Sequence, residues 1–377
     1  MTKFSNDFNI EDLFPDNLVE GFQDKLWRPL NSKNVIFTLY GRNALFLGMQ
    51  KIANVSKKRE VLVPSYSCGD EIRAITSTGL SIRSYRVMAN TQVDFEDLKS
   101  RITEKTVAVL VTHYFGFAQM MIEDIKVFCQ SKGVYLIEDC AHSCGTTYNG
   151  RPLGVWGDLA VFSLRKSFDI LHGGALVINN INLSVSDISK PPTQVVDLDM
   201  FNYLGFKNGY IQHGTPISKY LKSTTDTQDV HGARNSKIGG YLLGISNTAK
   251  FMLQYVAKND LEERNKIFSF YLDFFSRNTN TAIRPLFESI DIDTRPLFFP
   301  VLVDDSEEVC QYLRGKNIFI TQPFWSHIHD MINLENYKEA IDLKKNIIIL
   351  PLIHKIPESD LMVLISEISM LNKKNEK

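Results

Sequence analysis

Short apolar runs alternate with amphipathic stretches over roughly the first half of the chain. Runs rich in β-branched residues predict strands at Val35–Tyr40, Val61–Tyr66, Ser81–Val87, Val107–Thr112, Val134–Ile137, Leu159–Ser163 and Ala175–Ile178. Amphipathic stretches predict helices between them, at Leu45–Ala53, Asp70–Thr78, Asp94–Ile102 and Ile122–Lys132. Such alternation favours an α/β fold with a mainly parallel sheet, right-handed crossovers and flanking helices.

The second half of the chain has a different pattern. Asn179 to about Lys237 is polar and irregular, and a long helix is predicted over Ser246–Arg277. Shorter elements are predicted beyond it, at Leu297–Val303, Ser306–Arg314, Ile318–Ile320, Ile347–Leu350 and Pro357–Leu371. We therefore expect two domains, a large one over residues 1–245 and a smaller α+β domain over residues 246–377.

Two of the predicted strands deliver polar side chains at their carboxyl ends. Val134–Ile137 is followed by Glu138 and Asp139, and the strand ending at Ser163 is followed by Arg165 and Lys166. Open α/β sheets bind ligands at this edge. A lysine amine, a carboxylate and a hydroxyl are the groups that pyridoxal phosphate (PLP) requires for its aldehyde, its pyridine nitrogen and its phosphate.

A possible phosphate site lies earlier in the chain. Gly41, Arg42 and Asn43 stand between a predicted strand and a helix, so backbone N–H groups at the helix start are available to an anion. A glycine before a helix is more often a simple turn, so this signal has little weight by itself.

Composition limits the classes of function. The chain has 377 residues, 44% of them hydrophobic, and a formal net charge of −1, which gives no electrostatic signature of nucleic-acid binding. No signal peptide or membrane-spanning run is recognisable, so we expect a cytoplasmic protein that does not bind membranes. The five cysteines are expected to be free thiols.

Several motifs occur in an order that resembles the DegT/DnrJ/StrS-type sugar aminotransferases. They are Gly41–Ala44, VLVPSYS at Val61–Ser67, THYFG at Thr112–Gly116, IEDCAH at Ile137–His142, Gly154–Lys166, Gly173–Gly174, Glu263–Asn265 and Leu350–Leu352. The resemblance implies the PLP fold type I, with a mainly parallel sheet flanked by helices and a smaller C-terminal α+β domain. It covers most of the chain, is weak in the small domain and is nearly absent from Asn179–Ser246.

The resemblance also implies roles for single residues. Asp139 matches the aspartate that faces the pyridine nitrogen, with a turn-capping Asp139 and a functional Glu138 as the alternative. His142 matches a residue that contacts the cofactor's phenolic oxygen. Ser163 matches the serine that binds the phosphate, and the N–H groups of Arg42 and Asn43 are further donors.

The position of the lysine departs from the family pattern. The usual spacing after the serine falls on Phe168, whereas the lysine of this segment is Lys166. Either a shortened loop lets Lys166 form the bond to the cofactor aldehyde, or the lysine has been lost. Cys68 is a second departure, because the family generally has an aromatic residue there to stack on the cofactor. Tyr66 or His113 could compensate.

Cys140, His142 and Cys144 lie close together in the sequence, and these residue types can bind a metal ion. Their spacing lacks a C-x-x-C knuckle and a convincing fourth ligand, so we predict no metal.

The family resemblance implies an aminotransferase that moves an amino group from glutamate to a nucleotide-linked ketosugar. It also implies a homodimer, in which His213, Lys219, Lys222 or Arg234 could reach a neighbouring site. The alternatives are a PLP- or PMP-dependent deoxysugar dehydratase and a non-catalytic relative that binds a ligand or partner. A nicotinamide dehydrogenase is disfavoured, because the G-x-G-x-x-G turn is missing after the first strand.

Overall fold

The structure is a computed structural model of the chain. It describes residues 20–168, 170, 172–183, 188, 191–192, 241–256, 260–277, 283–316, 322–325, 328–352, 362–364 and 366–367. The statements below concern those residues.

A seven-stranded, mostly parallel sheet forms the centre of the larger part. Its strands, in sheet order, are β1 (Val35–Thr38), β9 (Gly174–Ile178), β8 (Leu159–Phe162), β5 (Tyr135–Asp139), β4 (Thr106–Thr112), β2 (Glu60–Pro64) and β3 (Ser81–Tyr85). The strands from β8 to β3 run parallel to one another, whereas β9 is antiparallel to both of its neighbours. A two-stranded ribbon, β6 (Thr147–Tyr148) and β7 (Arg151–Pro152), lies outside this sheet.

Helices flank the sheet, as the alternation of the sequence predicts. They are α1 (Gly41–Val55), α2 (Asp70–Thr76), α3 (Phe95–Arg101), α4 (Ile122–Ser131) and the single turn α5 (Leu164–Ser167). Helix α1 packs closely on β8 and β9, because a Cβ at Gly48 would lie 3.0 and 3.1 Å from the Cδ1 atoms of Leu159 and Leu176. It begins four residues before the predicted start, directly at the glycine.

A second, four-stranded sheet is antiparallel. Its order is β10 (Arg284–Pro285), β11 (Phe299–Leu302), β13 (Ile347–Leu350) and β12 (Gln322–Pro323), and it is accompanied by α7 (Asp260–Arg277), α8 (Ser306–Gly315) and α9 (Lys338–Asn346). The predicted helix Ser246–Arg277 is two helices, α6 (Asn247–Val256) and α7. The sequence pattern did not predict α9, in which five of the nine residues are charged.

The apolar interior forms two clusters. One surrounds the seven-stranded sheet, and the other is centred on Phe268, Tyr271 and Phe299 beside the second sheet. Leu253 of α6 belongs to the first cluster although it lies beyond residue 245. The domain boundary at residues 245 and 246 stays a prediction. Among the described helices, none is long and apolar enough to cross a membrane.

Candidate active site

The carboxyl ends of β5 and β8 open into one cavity. The two strands are parallel neighbours, and Asp139 pairs in register with Val161. The cavity is lined by residues at or just after the ends of five strands of the large sheet, at the starts of three helices and after β12 of the second sheet: Tyr40, Gly41, Arg42, Leu45, Cys68, Asp70, Glu71, Thr112, Asp139, Ala141, His142, Val161, Ser163, Arg165, Lys166 and Trp325. Six of the seven residues predicted to bind the cofactor are among them.

Asp139 ends β5, and its carboxyl group is almost fully buried. Its Oδ1 accepts the backbone N–H of Ala141 at 2.9 Å. Burial raises the pKa of Asp139 above its ordinary value, while the Ala141 N–H and the charges of Lys166 and His113 oppose that rise. A cationic group in the cavity would therefore favour the ionised carboxylate.

Glu138 occupies a different environment. Its side chain is fully buried and accepts the backbone N–H groups of Gly154, Trp156 and Gly157 at 2.9, 2.7 and 2.6 Å. His113 adds a fourth contact, Nε2 to Oε2 at 3.1 Å. These partners make Glu138 a structural residue, because consecutive strand residues point to opposite sides and only Asp139 lines the cavity.

Lys166 reaches the cavity from α5. Its Nζ lies 3.0 Å from Nε2 of His142, and the two side chains line the cavity together with Asp139. The Arg264 guanidinium donates a hydrogen bond to the carbonyl oxygen of Ser167, which fixes the turn that carries Lys166. Phe168 is buried against Trp27, with ring centroids 5.3 Å apart. The shortened segment thus directs its lysine into the site and its phenylalanine into the core.

His142 is buried beside Lys166. Burial, reinforced by the Lys166 charge, lowers the pKa of His142 well below its ordinary value, so the imidazole is neutral near pH 7. Because its Nε2 accepts the lysine proton, the ring proton is assigned to Nδ1. The ring also lies 5.4 Å from the indole of Trp325, centroid to centroid.

Two arginines, Arg42 at the start of α1 and Arg165 in α5, flank Tyr40 at the edge of the cavity. The guanidinium carbons of Arg42 and Arg165 lie 4.8 and 5.3 Å from the centroid of the Tyr40 ring. Arg42 Nη1 also contacts Asp70 Oδ2 at 3.2 Å. Gly174 packs against this corner so closely that a Cβ there would lie 2.3 Å from the carbonyl carbon of Tyr40.

Asn43 differs from its expected place in the site. Its backbone N–H donates to the Tyr40 carbonyl oxygen at 3.0 Å, and its Nδ2 donates to the Tyr241 carbonyl oxygen at 3.0 Å. The residue is buried and does not line the cavity. Because the Asn43 N–H is used in the first turn of α1, it is not available to a phosphate. Of the three residues predicted to bind the phosphate at the start of α1, Gly41 and Arg42 line the cavity.

Ser163 stands between β8 and α5 and lines the cavity. It occupies the N-cap position, yet its side chain makes no capping hydrogen bond. The hydroxyl group is therefore not committed to the helix that it precedes.

Glu71 and Trp325 line the cavity, and the sequence analysis did not identify either. Glu71 Oε1 accepts the Cys68 backbone N–H at 2.8 Å, and burial, reinforced by the Asp139 charge, raises the pKa of Glu71 to about 7. The sequence did contain a signal for Glu71, because this acid lies in the first turn of the helix that follows β2. Trp325 had no comparable signal, because it arrives from the second sheet.

The suggested substitutes for an aromatic residue at position 68 do not line the cavity. Tyr66 is fully buried and donates its hydroxyl to the Phe324 carbonyl oxygen at 2.9 Å. His113 is held between Glu138 and Gln119, whose backbone N–H donates to Nδ1 at 3.0 Å. The expectation that either residue compensates for Cys68 is not supported by these positions.

The cavity contains polar atoms without protein partners. His142 Nδ1, Thr112 Oγ1 and Arg165 Nε are buried and make no hydrogen bond within the described part of the chain. All three belong to residues that line the cavity. Because buried polar groups are normally paired, this set fits a polar ligand that carries both donors and acceptors.

One cluster has metal-ligand geometry. The ligand atoms of His113, Glu138 and Cys140 lie within 4.8 Å of one another. The Glu138 oxygens are already engaged by backbone amides and His113, and burial raises the pKa of the Cys140 thiol well above its ordinary value. The cluster is therefore better explained as structural. The suggested reach-across residues His213, Lys219, Lys222 and Arg234 lie outside the described residues.

Comparison with known proteins identifies relatives of one kind. Residues 15–187 match the model of the DegT/DnrJ/EryC1/StrS aminotransferase family. The chain is 25% identical over 323 residues to a GDP-perosamine synthase of Vibrio cholerae. The matched residues make up 82% of this chain and 83% of that protein. A dTDP-3-amino-3,6-dideoxy-alpha-D-galactopyranose transaminase of Aneurinibacillus thermoaerophilus is 31% identical over 170 residues, which is 44% of this chain and 46% of that one.

A solved structure has the same fold. The DegT DnrJ EryC1 StrS aminotransferase of Brucella abortus superposes with a TM-score of 0.67 at 16% identity, covering 94% of this chain and 90% of the other. The predicted fold class is confirmed.

Proposed function

We propose that this chain, whose residues 15–187 match the model of the DegT/DnrJ/EryC1/StrS aminotransferase family, is a PLP-dependent aminotransferase acting on a nucleotide-linked ketosugar. The observation that carries the proposal is the convergence of Lys166, His142 and Asp139 on one cavity at the carboxyl edge of the sheet.

The cavity residues fit PLP at both of its ends. Asp139 would face the pyridine nitrogen, since Ala141 occupies only one of its two oxygens. The amides of Gly41 and Arg42 and the hydroxyl of Ser163 would receive the phosphate, with Arg42 and Arg165 as the nearby positive charges. When bound, PLP supplies an aldehyde that joins to amines and a ring that accepts electrons.

Lys166 would be the nucleophile and base, and His142 would orient it. A lysine acts as a nucleophile or base only as the neutral amine, and a neutral imidazole beside it can accept a hydrogen bond from the amine. His142 is neutral in the free site, and its Nε2 already contacts Nζ. The geometry therefore gives the amine an orienting acceptor without adding a second positive charge.

The acceptor class follows from the named relatives. The Vibrio cholerae relative is named for a GDP-linked product and the Aneurinibacillus relative for a dTDP-linked one. A nucleotide ketosugar carries a carbonyl on its sugar ring and an anionic diphosphate, and Arg165, which lines the cavity and has a buried nitrogen without a described partner, is a suitable cation for that diphosphate. Glutamate is proposed as the amino donor, and a cytoplasmic homodimer as the assembly.

The position of Lys166 favours an aminotransferase over a relative without a catalytic lysine. A PLP- or PMP-dependent dehydratase and a ligand-binding relative both remain testable alternatives. Neither alternative requires a lysine that reaches the cofactor aldehyde, whereas the proposed aminotransferase requires Lys166 in that role.

The decisive experiment is an amine-transfer assay. Purified protein with PLP and glutamate is incubated with a panel of nucleotide ketosugars, and 2-oxoglutarate and the amino sugar are measured by mass spectrometry. We expect transfer to at least one ketosugar and none with Lys166→Ala. Dehydrated sugar without amine transfer would identify the dehydratase, and PLP binding with no product on the whole panel would overturn the proposal.

A further inference from the structure

Trp325 is held in an unusual backbone conformation. Its φ angle is 50°, in the left-handed region that bulky residues rarely adopt. The residue follows β12 at the edge of the second sheet, two positions after Pro323. Such a conformation persists only where surrounding contacts outweigh the local backbone preference, so the contacts of Trp325 determine its position.

The surroundings hold the indole beside the cavity. Its ring centroid lies 4.7 Å from that of Phe324, 5.2 Å from Tyr66 and 5.7 Å from Tyr114. Tyr66 further binds the Phe324 carbonyl oxygen, and the Phe324 N–H donates to Ile347 in β13. The segment that carries Trp325 is thus connected to the first sheet through Tyr66, which lies just after the end of β2.

Few flat aromatic surfaces line the cavity that contains Asp139. Its described aromatic lining consists of Tyr40, His142 and Trp325. The ring of Tyr40 is already covered by the guanidinium groups of Arg42 and Arg165. The imidazole of His142 is hydrogen-bonded to Lys166. In the segment that follows β2, the side chain that lines the cavity is Cys68, whose thiol provides little π surface.

We propose that Trp325 provides the aromatic surface that binds the planar ring of the cofactor, so that a residue of the second sheet completes a site built on the first. This inference rests on the proposed function. It assigns ring binding to a position about 190 residues beyond Asp139 in the sequence. It also makes the contact between the two sheets part of the binding site.

Binding affinities for PLP and for pyridoxal, which has the ring but no phosphate, distinguish a ring-binding role of Trp325 from a purely structural one. The PLP-free protein is titrated with PLP and with pyridoxal, which lacks the phosphate, for wild type, Trp325→Phe and Trp325→Leu. We expect Trp325→Leu to bind both ligands about tenfold more weakly and Trp325→Phe to recover most of the loss, as for an aromatic stacking contact. The ratio of the two affinities should not change, because the ring is common to both ligands.

Fluorescence gives a second readout. The chain has three tryptophans, so Trp27→Phe/Trp156→Phe leaves Trp325 as the sole indole. Its emission should be quenched over the same PLP concentrations that saturate binding, and Trp27→Phe alone serves as the matched control with unchanged affinity. Circular dichroism and thermal unfolding of each variant establish that it is folded.

The outcomes distinguish the two proposals. Unchanged affinity of a folded Trp325→Leu protein would overturn the role of Trp325 and leave the proposed function intact. A weakening of PLP that spares pyridoxal would also overturn it, since that would place the effect at the phosphate. Failure of the wild-type protein to bind either ligand would overturn both.

Discussion

Glu138 and Asp139 are adjacent on β5, but their carboxyl groups serve opposite purposes. Glu138 is enclosed by three backbone amides and His113, whereas Asp139 keeps one contact, from Ala141, and lines the cavity that Lys166 enters. The alternation of side chains along a strand produces this separation. One carboxylate therefore stabilises the sheet edge, and the other is available to a ligand.

Glu138→Gln should destabilise the fold. The new NH₂ group would face donors that now bind the carboxylate, and breaking a buried, charged network costs about 3–5 kcal/mol. Urea unfolding measures the change, with Glu123→Gln on the surface of α4 as the control. A loss below about 1 kcal/mol would show that the network is not a principal support of this edge.

Asp139→Asn should leave the fold nearly intact and impair amine transfer. The amide oxygen can still accept the Ala141 N–H, but a neutral side chain cannot keep the pyridine nitrogen protonated. We expect kcat to fall between about 100-fold and 10,000-fold, the range typical for loss of a catalytic acid or base. Wild-type kcat in this variant, with PLP bound, would assign the acidic role elsewhere.

Lys166→Ala should abolish covalent attachment of the cofactor. Borohydride treatment followed by mass spectrometry should show a cofactor adduct on the wild type and on Lys105→Ala, an exposed control, but not on Lys166→Ala. Amine transfer should fall on the order of 10⁴-fold, because nucleophile and base are lost together. An adduct that persists on another lysine would contradict the assignment.

Ser163→Ala should weaken PLP without affecting pyridoxal. Removing one hydrogen bond to a charged phosphate predicts a loss of about 10- to 100-fold in PLP affinity. Ser167→Ala is the matched control, since this serine lies on the same turn but does not line the cavity. Equal losses for both ligands would place Ser163 at the ring instead.

Glu71 should make the stability of the PLP-free protein depend on pH. Burial raises the pKa of Glu71 from 4.5 to about 7, so the folded state holds a proton that the unfolded state releases. The associated stability is complete below about pH 4.5 and is lost as the pH rises to about 7, a change of about 3 kcal/mol.

Urea unfolding of wild type and Glu71→Gln across this pH range tests the point. The glutamine can still accept the Cys68 N–H, so the wild type should lose stability relative to the variant as the pH rises. Asp139, Asp70, Cys68 and Lys166 also line this cavity and are common to both proteins, so the comparison isolates the carboxyl group of Glu71. Parallel stability curves would show that Glu71 ionises normally.

The sequence identified the large sheet and most of the site, for a local reason. Each predicted strand of that sheet exists, with ends shifted by at most a few residues, because β-branched runs and turn residues act over short distances. Asp139, Ser163 and Lys166 follow directly from strand ends, whose carboxyl edge is known once the strands are parallel. Helix α9 was missed because it is short and five of its nine residues are charged, which leaves Ala340, Ile341 and Leu343 as its apolar positions.

Local pattern determined which residues reach the sheet edge, but not which side of the edge they face or what meets them there. Tertiary structure decided that Glu138 turns into backbone amides, that Asn43 turns back onto Tyr40 and that Lys166 lies against His142. It also brought Trp325 from the second sheet to the cavity. Strand periodicity is encoded by neighbours in sequence, whereas these contacts depend on the packing of segments far apart along the chain, which no short window of sequence contains.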